Sequence, residues 1–144
     1  MITGKYLTSR DDISSVLDIR RAVFGKDLPE WAKRDELDDM SIYAIAMSHG
    51  VPAGCGRLSI VDDRFTISRV CVLESRRGEG LGDMIARMLL MRAIDLGAGE
   101  VFVAPRQEAK SFYRKYGFED ARDGLMRATP ESISRLAGGC GACL

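Results

Sequence analysis

The sequence predicts a mixed α/β (α+β) fold, in which a mostly antiparallel sheet with a central β-α-β unit carries helices on both faces. Three β-like runs follow one another between residues 42 and 73, separated only by short turns at His49-Gly50 and Asp62-Asp63. A glycine-rich turn and a long helical pattern come next, within residues 67–96, before another strand-like run at 101–104. A helix between two strand-like runs favours a right-handed parallel crossover.

Length and composition predict a single domain over residues 1–144, with 129–144 as a C-terminal helix and cysteine-containing tail. The 21 basic and 21 acidic residues give a formal net charge of +0, which argues against a nucleic-acid partner. No apolar run has the length of a membrane span, and no signal-peptide core follows the first residues. We therefore expect a cytoplasmic protein that binds neither nucleic acid nor membrane.

The N-terminal third predicts a strand at 4–8 and a helix at 11–23, with Ser9 as its N-cap and Gly25 at its end. Residues 25–40 are polar, and they predict a loop with a short helix at 31–37. This loop contains an acidic cluster with two interpretations, a solvated face or a lip that attracts a cationic substrate. The cluster consists of Asp35, Glu36, Asp38 and Asp39.

The three β-like runs predict an antiparallel meander with strands at 42–47, 52–60 and 65–73. The first is almost continuously apolar, which indicates a strand covered on both faces. Glycines at 54 and 56 within the second predict a bulge or a close backbone approach.

The second half of the chain predicts a helix at 80–96 that Gly97 ends, and a strand at 101–104 that Pro105 ends. A further helix is expected at 107–116, stopping at Gly117, followed by a hairpin of residues 118–121 and 124–128. Thr129 and Pro130 predict the start of a last short helix, at 130–136.

The glycine-rich turn predicts an anion site, because a strand, a glycine turn and a helix start aim backbone N–H groups and a helix dipole at a phosphate. A Walker P-loop is excluded, since Asp83 and Met84 follow Gly82 in place of Lys-Ser/Thr. A dinucleotide fingerprint is excluded as well, since Gly78, Gly80 and Gly82 have the wrong spacing for G-x-G-x-x-G.

Two motifs carry a family resemblance. Residues 77–82 (RGEGLG) match R/Q-x-x-G-x-G/A, which resembles the acyl-CoA pyrophosphate motif of the GNAT superfamily of N-acetyltransferases. Residues 109–118 (AKSFYRKYGF) are similar to that family's A-x-x-x-Y-x-x-x-G-F segment, at the family's distance downstream. Segments 20–24, 38–39 and 53–58 resemble a bacterial subgroup of undefined substrate.

The resemblance implies an N-acetyltransferase that transfers an acetyl group from acetyl-CoA to a primary amine of a small molecule or protein by direct attack, without a metal. The backbone of Val70, Cys71 and Val72 would hold the pantetheine arm. Tyr113 would be the general acid that protonates the departing thiolate, and Tyr116 is expected to be a core residue. The backbone amides that would hold the pyrophosphate are those of Arg77, Gly78, Glu79, Gly80, Leu81 and Gly82.

The general base stays open, because residues 65–73 contain no acid. Glu74, an acid from the polar loop (Glu30, Glu36 or Asp39) and ordered water are the alternatives. A module that binds or senses acyl-CoA without catalysis is the alternative function.

Cys55 and Cys71 lie within strand-like runs and are expected to be small buried thiols. Packing is the simplest role for Cys71 beside the thioester site, with a covalent role as the alternative. Cys140 and Cys143 predict either a redox-sensitive tail or a site shared across a homodimer.

Overall fold

The computed structural model describes residues 1–25, 29 and 33–138, which form one seven-stranded sheet with four α-helices. The strands are β1 (Ile2–Thr8), β2 (Ile42–Ser48), β3 (Val51–Val61), β4 (Arg64–Val72), β5 (Val101–Val103), β6 (Glu119–Asp120) and β7 (Met126–Ala128). The helices are α1 (Ser14–Phe24), α2 (Leu81–Asp95), α3 (Lys110–Arg114) and α4 (Pro130–Gly138).

The strand order is β1-β2-β3-β4-β5-β7-β6, and only the β4–β5 pair is parallel. Helix α2 connects these two strands, so the predicted fold class and the central β-α-β unit are confirmed. β7 lies between β5 and β6, so the predicted closing hairpin adds two antiparallel strands beside the parallel pair.

Each face of the sheet has its own apolar core. On one face, Ile85 and Leu89 of α2 pack over Ala44 and Ala46 of β2. On the other face, α1 packs against a second cluster of alternate strand residues. This two-sided cover explains why the sequence of β2 is almost continuously apolar, as predicted. The second cluster consists of Val16, Ile19, Tyr43, Ile45, Cys55 and Cys71.

Helix α1 begins five residues after Ser9, so the predicted N-cap is wrong. The Asp11 carboxylate accepts a hydrogen bond from the backbone N–H of Thr8 at 2.7 Å, which holds the intervening chain in a turn. The Asp12 carboxylate then accepts one from the N–H of Ser14, at 2.9 Å. Gly25 ends the helix with a φ of 83°, as predicted.

A β-bulge interrupts the pairing of β3 with β4. Cys55 pairs with Cys71 but Arg57 pairs with Ser68, so two residues of β4, Arg69 and Val70, lie opposite Gly56 alone. Arg69 takes a φ of 53°. The extra residue shifts the alternation of side chains, a usual effect of such bulges. Val70 and Val72 therefore pack on the α2 face and Cys71 on the α1 face.

The helix and the hairpin that follow β5 are shorter than predicted, whereas the last helix, predicted at 130–136, extends over Pro130–Gly138. The helix expected at 107–116 is a 3₁₀ turn over Gln107–Ala109 that leads into α3. The Thr129 hydroxyl accepts a hydrogen bond from the N–H of Ser132 at 3.0 Å, as expected of an N-cap for α4.

Some predictions fall outside the described residues. The first two residues of the helix predicted at 31–37 lie outside the described residues. Near its other end the structure has a 3₁₀ turn over Glu36–Asp39. Cys140 and Cys143 lie wholly outside. In the described part of the chain, no helix is long and apolar enough to cross a membrane.

Gly56→Ala tests the close approach of β3 to α2. A Cβ at this position would lie 2.7 Å from Ile85 Cγ2 and 2.8 Å from Leu89 Cδ1. We expect urea unfolding to show a loss of about 1–3 kcal/mol, as for an overpacked core.

Gly99→Ala is the matched control, since a Cβ there meets nothing within 4 Å. It should change the free energy of unfolding by no more than about 0.5 kcal/mol. Equal effects of the two substitutions would contradict the packing described for Gly56.

Candidate functional site

The parallel strands β4 and β5 separate after a short contact. They pair only where Phe65 meets Val101 and Thr66 meets Phe102. Farther along, the backbone from Val70 to Val72 has no partner on β5, and a cavity of about 880 Å³ opens between the strands. The divergence places three predicted site residues, Val70, Cys71 and Val72, in the cavity wall.

One end of this cavity is the predicted anion site. A 3₁₀ turn over Glu74–Arg76 follows β4, and Gly78 and Gly80 have φ values of 87° and 85°. Helix α2 starts directly after Gly80, and no side chain of the described residues caps it. The first N–H groups of the helix thus have no side-chain acceptor, which suits an incoming phosphate.

The side chains at this end are basic. Arg76, Arg77 and Lys115 line the cavity together with Gly78, Gly80, Leu81 and Gly82. The Nε of Arg77 donates to the carbonyl oxygen of Val72 at 3.3 Å, which links the loop to the end of β4. Positive charge at an open helix N-terminus is the arrangement that phosphate groups favour.

Glu79 differs from its neighbours, because it does not line the cavity. Its carboxylate accepts a hydrogen bond from the Ser48 hydroxyl at 2.7 Å and lies 3.8 Å from Arg76 Nη1. The side chain therefore anchors the loop to β2. The role predicted for Glu79, which concerns its backbone amide, stays a prediction.

Tyr113 reaches the same cavity from α3. Its side chain is 9% exposed and packs edge-to-face on Phe112 and Phe118, with ring centroids 5.1 and 5.6 Å away. Within the described residues, its hydroxyl has no hydrogen-bond partner. Burial raises the pKa of Tyr113 to about 12, so the phenol is protonated at neutral pH.

Tyr116 is a core residue, as predicted. It is buried outside the cavity wall, and its hydroxyl donates to Asp83 Oδ1 at 2.5 Å. Burial and the bonded carboxylate both raise the pKa of Tyr116. Among the described residues, the hydroxyl of Tyr113 thus has no hydrogen-bond partner, whereas that of Tyr116 is bonded to Asp83.

The opposite end of the cavity borders a buried ion cluster. Asp38, which is fully buried, accepts hydrogen bonds from both terminal nitrogens of Arg20, at 3.1 and 3.0 Å. Arg57 Nη1 bridges Asp38 and Asp35, at 3.1 and 2.7 Å. Arg69, a cavity residue, lies 2.9 Å from Asp35 through its Nη2.

The acidic cluster of the polar loop thus divides into two parts. Glu36 and Asp39 are exposed, consistent with a solvated face. For Asp38 both interpretations from the sequence are wrong, because its carboxylate is buried and neutralised by arginines. Asp35 is 35% exposed but is paired with Arg57 and Arg69, so it is not free to attract a cation.

Sequence reasoning missed Arg20 and Arg57. A signal was present for the first, since Arg20 lies at helical spacing among the apolar residues Val16 and Val23. An arginine on the apolar side of a helix predicts a buried carboxylate partner. For Arg57, an isolated charge within an otherwise apolar strand carries the same meaning.

No general base emerges from the described cavity wall. Among the described lining residues its only acidic one is Asp83, at the end with the glycine-rich turn. Glu74, Glu36 and Asp39 do not line the cavity, and Glu30 lies outside the described residues. Cys71 does line it, and its Sγ lies 3.8 Å from that of Cys55.

A basic cavity between diverging parallel strands, closed by an uncapped glycine-rich helix start, defines a protein that binds a phosphate-bearing ligand. Comparison with known proteins narrows this class. The model of the acetyltransferase (GNAT) family matches residues 13–118. The uncharacterized N-acetyltransferase YjcF of Bacillus subtilis is 30% identical over 112 residues, which are 76% of this chain and 80% of that protein.

Solved structures agree on the fold. ElaA of Escherichia coli has a TM-score of 0.76 at 21% identity, over 89% of this chain and 99% of that one. A GNAT family acetyltransferase from Brucella melitensis, in complex with acetyl-CoA, has a TM-score of 0.72 at 18% identity, over 90% and 88%. The chain belongs to the GNAT acetyltransferase family, which confirms the resemblance found in the sequence.

Asp38→Ala tests the buried ion cluster. The substitution leaves Arg20 and Arg57 buried with a lost partner, and we expect urea unfolding to show a loss of about 3–5 kcal/mol. Asp39→Ala, one residue away and exposed, is the control and should cost no more than about 0.5 kcal/mol.

The same variant should also change the response to acid. Burial by itself raises the pKa of Asp38. Hydrogen bonds from Arg20, the N–H of Asp35 and Tyr43 lower it by more than that, so the pKa lies well below its usual range. The stabilisation by Asp38 is therefore present above the unfolded pKa of about 3.9 and is lost as pH falls below it. Asp38→Ala should lose less stability over that acid range than the wild type, and an equal loss would contradict the assignment.

Proposed function

We propose that this chain, as a single domain over residues 1–144, is an N-acetyltransferase that uses acetyl-CoA and acetylates a primary amine of a small molecule or protein by direct attack. The observation that carries the proposal is one cavity bordered by a free strand edge, an uncapped helix start and the Tyr113 phenol. Acetyl-CoA supplies the activated thioester when bound.

The donor site fits the two halves of that molecule. The unpaired backbone of Val70, Cys71 and Val72 offers N–H and C=O groups to the amides of a pantetheine arm, as an added strand would use them. The backbone amides of residues 77–82, Glu79 included, would hold the pyrophosphate beside Arg76 and Arg77.

Tyr113 would act as the general acid. A neutral amine attacks the thioester carbonyl, the C–S bond breaks, and the phenol gives its proton to the departing sulfur. A phenol that burial keeps protonated, with no competing hydrogen bond within the described residues, suits this step. The proton lost by the amine nitrogen leaves through solvent, since no carboxylate of the described cavity wall lies at that end, and solvent returns a proton to the Tyr113 phenolate.

Acceptor deprotonation is the energetic difficulty of this mechanism. A lysine-like amine has a pKa of about 10.4, so its neutral form costs about 4.6 kcal/mol at pH 7. The alternative of a non-catalytic acyl-CoA sensor is not favoured, because the matched family is an acetyltransferase family. The cavity position of Tyr113 also supports catalysis.

Titration of acetyl-CoA by calorimetry, combined with a thiol-release assay over a panel of primary amines, tests the function. We expect saturable binding of acetyl-CoA and amine-dependent release of CoA. Binding without release across the whole panel would overturn the proposal in favour of the sensor.

Tyr113→Phe removes only the proposed proton donor. We expect kcat to fall about 100-fold, because general acid catalysis contributes factors of that size, while the affinity for acetyl-CoA is retained. Tyr116→Phe is the matched control. Tyr116 does not line the cavity, and its replacement removes the hydrogen bond to Asp83, so this variant should lower stability by about 1 kcal/mol and leave kcat near the wild-type value. Unchanged turnover in Tyr113→Phe would exclude the assigned role.

A further inference from the structure

The buried ion cluster carries a surplus positive charge. Three guanidinium groups, those of Arg20, Arg57 and Arg69, share the two carboxylates of Asp35 and Asp38 within the described residues. Arg20 and Arg57 both contact Asp38, and Arg57 and Arg69 both contact Asp35. A buried charge is stable only when it is paired, and two carboxylates leave one positive charge of this cluster uncompensated.

Arg69 is the member of the cluster that brings this positive charge to the cavity wall. Besides its contact with Asp35, Arg69 donates a hydrogen bond to the uncharged carbonyl oxygen of Lys33, at 3.3 Å. Its side chain is 12% exposed, and its Nε is buried without a hydrogen-bond partner among the described residues. Burial lowers the pKa of Arg69, and repulsion from Arg57 lowers it further. The left-handed bulge conformation of Arg69 places it in the wall of the cavity, so an anion there would relieve this repulsion.

Arg69 lies on the acceptor side. Along β4 it precedes Val70–Val72, whereas the glycine-rich loop follows them. A donor bound along these three residues with its pyrophosphate at the loop leaves the Arg69 end to the amine. Ser68 of β4 and Val23 and Phe24 of α1 line the cavity as well.

We propose that Arg69 binds a carboxylate of the acceptor, and that the acceptor is a primary amine carrying a carboxylate close to its nitrogen. This inference rests on the proposed acetyltransferase function. The acidic loop had suggested a cationic acceptor, whereas Arg69 favours an acceptor with a negative group. The carboxylates of Asp35 and Asp38 in that loop are bound to arginines.

The same charge helps the reaction. Positive charge near an ammonium group disfavours its charged form, so the amine loses its proton more readily beside Arg69. An acceptor carboxylate holds the molecule there despite that repulsion. The site can then accept a neutral amine without an acidic side chain in the described cavity wall.

Matched substrate pairs test the inference, each pair being an amino acid and its carboxamide. For the wild type, we expect kcat/KM to be about 10- to 100-fold higher for the carboxylate, the range for a hydrogen bond to a charged group. Arg69→Gln should abolish that preference through KM, with the affinity for acetyl-CoA unaffected. Arg69→Lys should retain part of the preference, since it keeps the charge and loses the planar fork.

Arg64→Gln is the control, because Arg64 belongs to the same strand but stacks over Phe102, outside the cavity wall. It should keep the full preference. A wild type that prefers carboxamides or polyamines, or an Arg69→Gln variant that keeps the preference, overturns this inference and leaves the proposed function standing. A wild type that acetylates no amine overturns the proposed function itself. The wild-type comparison decides the matter even if the Arg69 variants do not fold.

Discussion

The geometry of the candidate site depends on the β-bulge at Arg69 and Val70. Without the extra residue, the alternation that places Phe65 and Ile67 on the α2 face would place Arg69 and Cys71 there too. With it, Val70 and Val72 continue the α2 core and Cys71 joins the α1 core. Gly56, which lies opposite the bulge, packs closely under α2, since a Cβ there would lie 2.7 Å from Ile85 Cγ2 and 2.8 Å from Leu89 Cδ1.

The ion cluster ties the polar loop to the sheet beside this bulge. Asp35 and Asp38 form a reciprocal capping box around the 3₁₀ turn, and both then accept arginine hydrogen bonds. Buried ion pairs add little net stability because desolvation offsets their attraction, but breaking one leaves an unpaired charge. Such a cluster therefore fixes the positions of its side chains more than it stabilises the fold. Here it holds the Arg69 side chain at the cavity wall.

The two ends of the cavity use different parts of the chain. Main-chain groups dominate the proposed donor end, through a free strand edge and a helix start. Side chains that converge from separate elements dominate the other end. A main-chain site requires glycines at set spacing and so leaves a readable motif, whereas a site made of converging side chains leaves scattered residues. This difference explains why the sequence contains a recognisable motif for the proposed donor site and none for the proposed acceptor site.

The sequence by itself determined the meander, the β-α-β unit, the glycine-rich turn and the position of Tyr113 on a helix, because short-range periodicity and spacing encode all of them. Tertiary structure alone decided that β7 lies beside β5. It also decided that Asp38 is buried between Arg20 and Arg57, which are 18 and 19 positions away along the chain. The physical reason is that buried charges choose partners by proximity in space, and sequence spacing does not report that proximity.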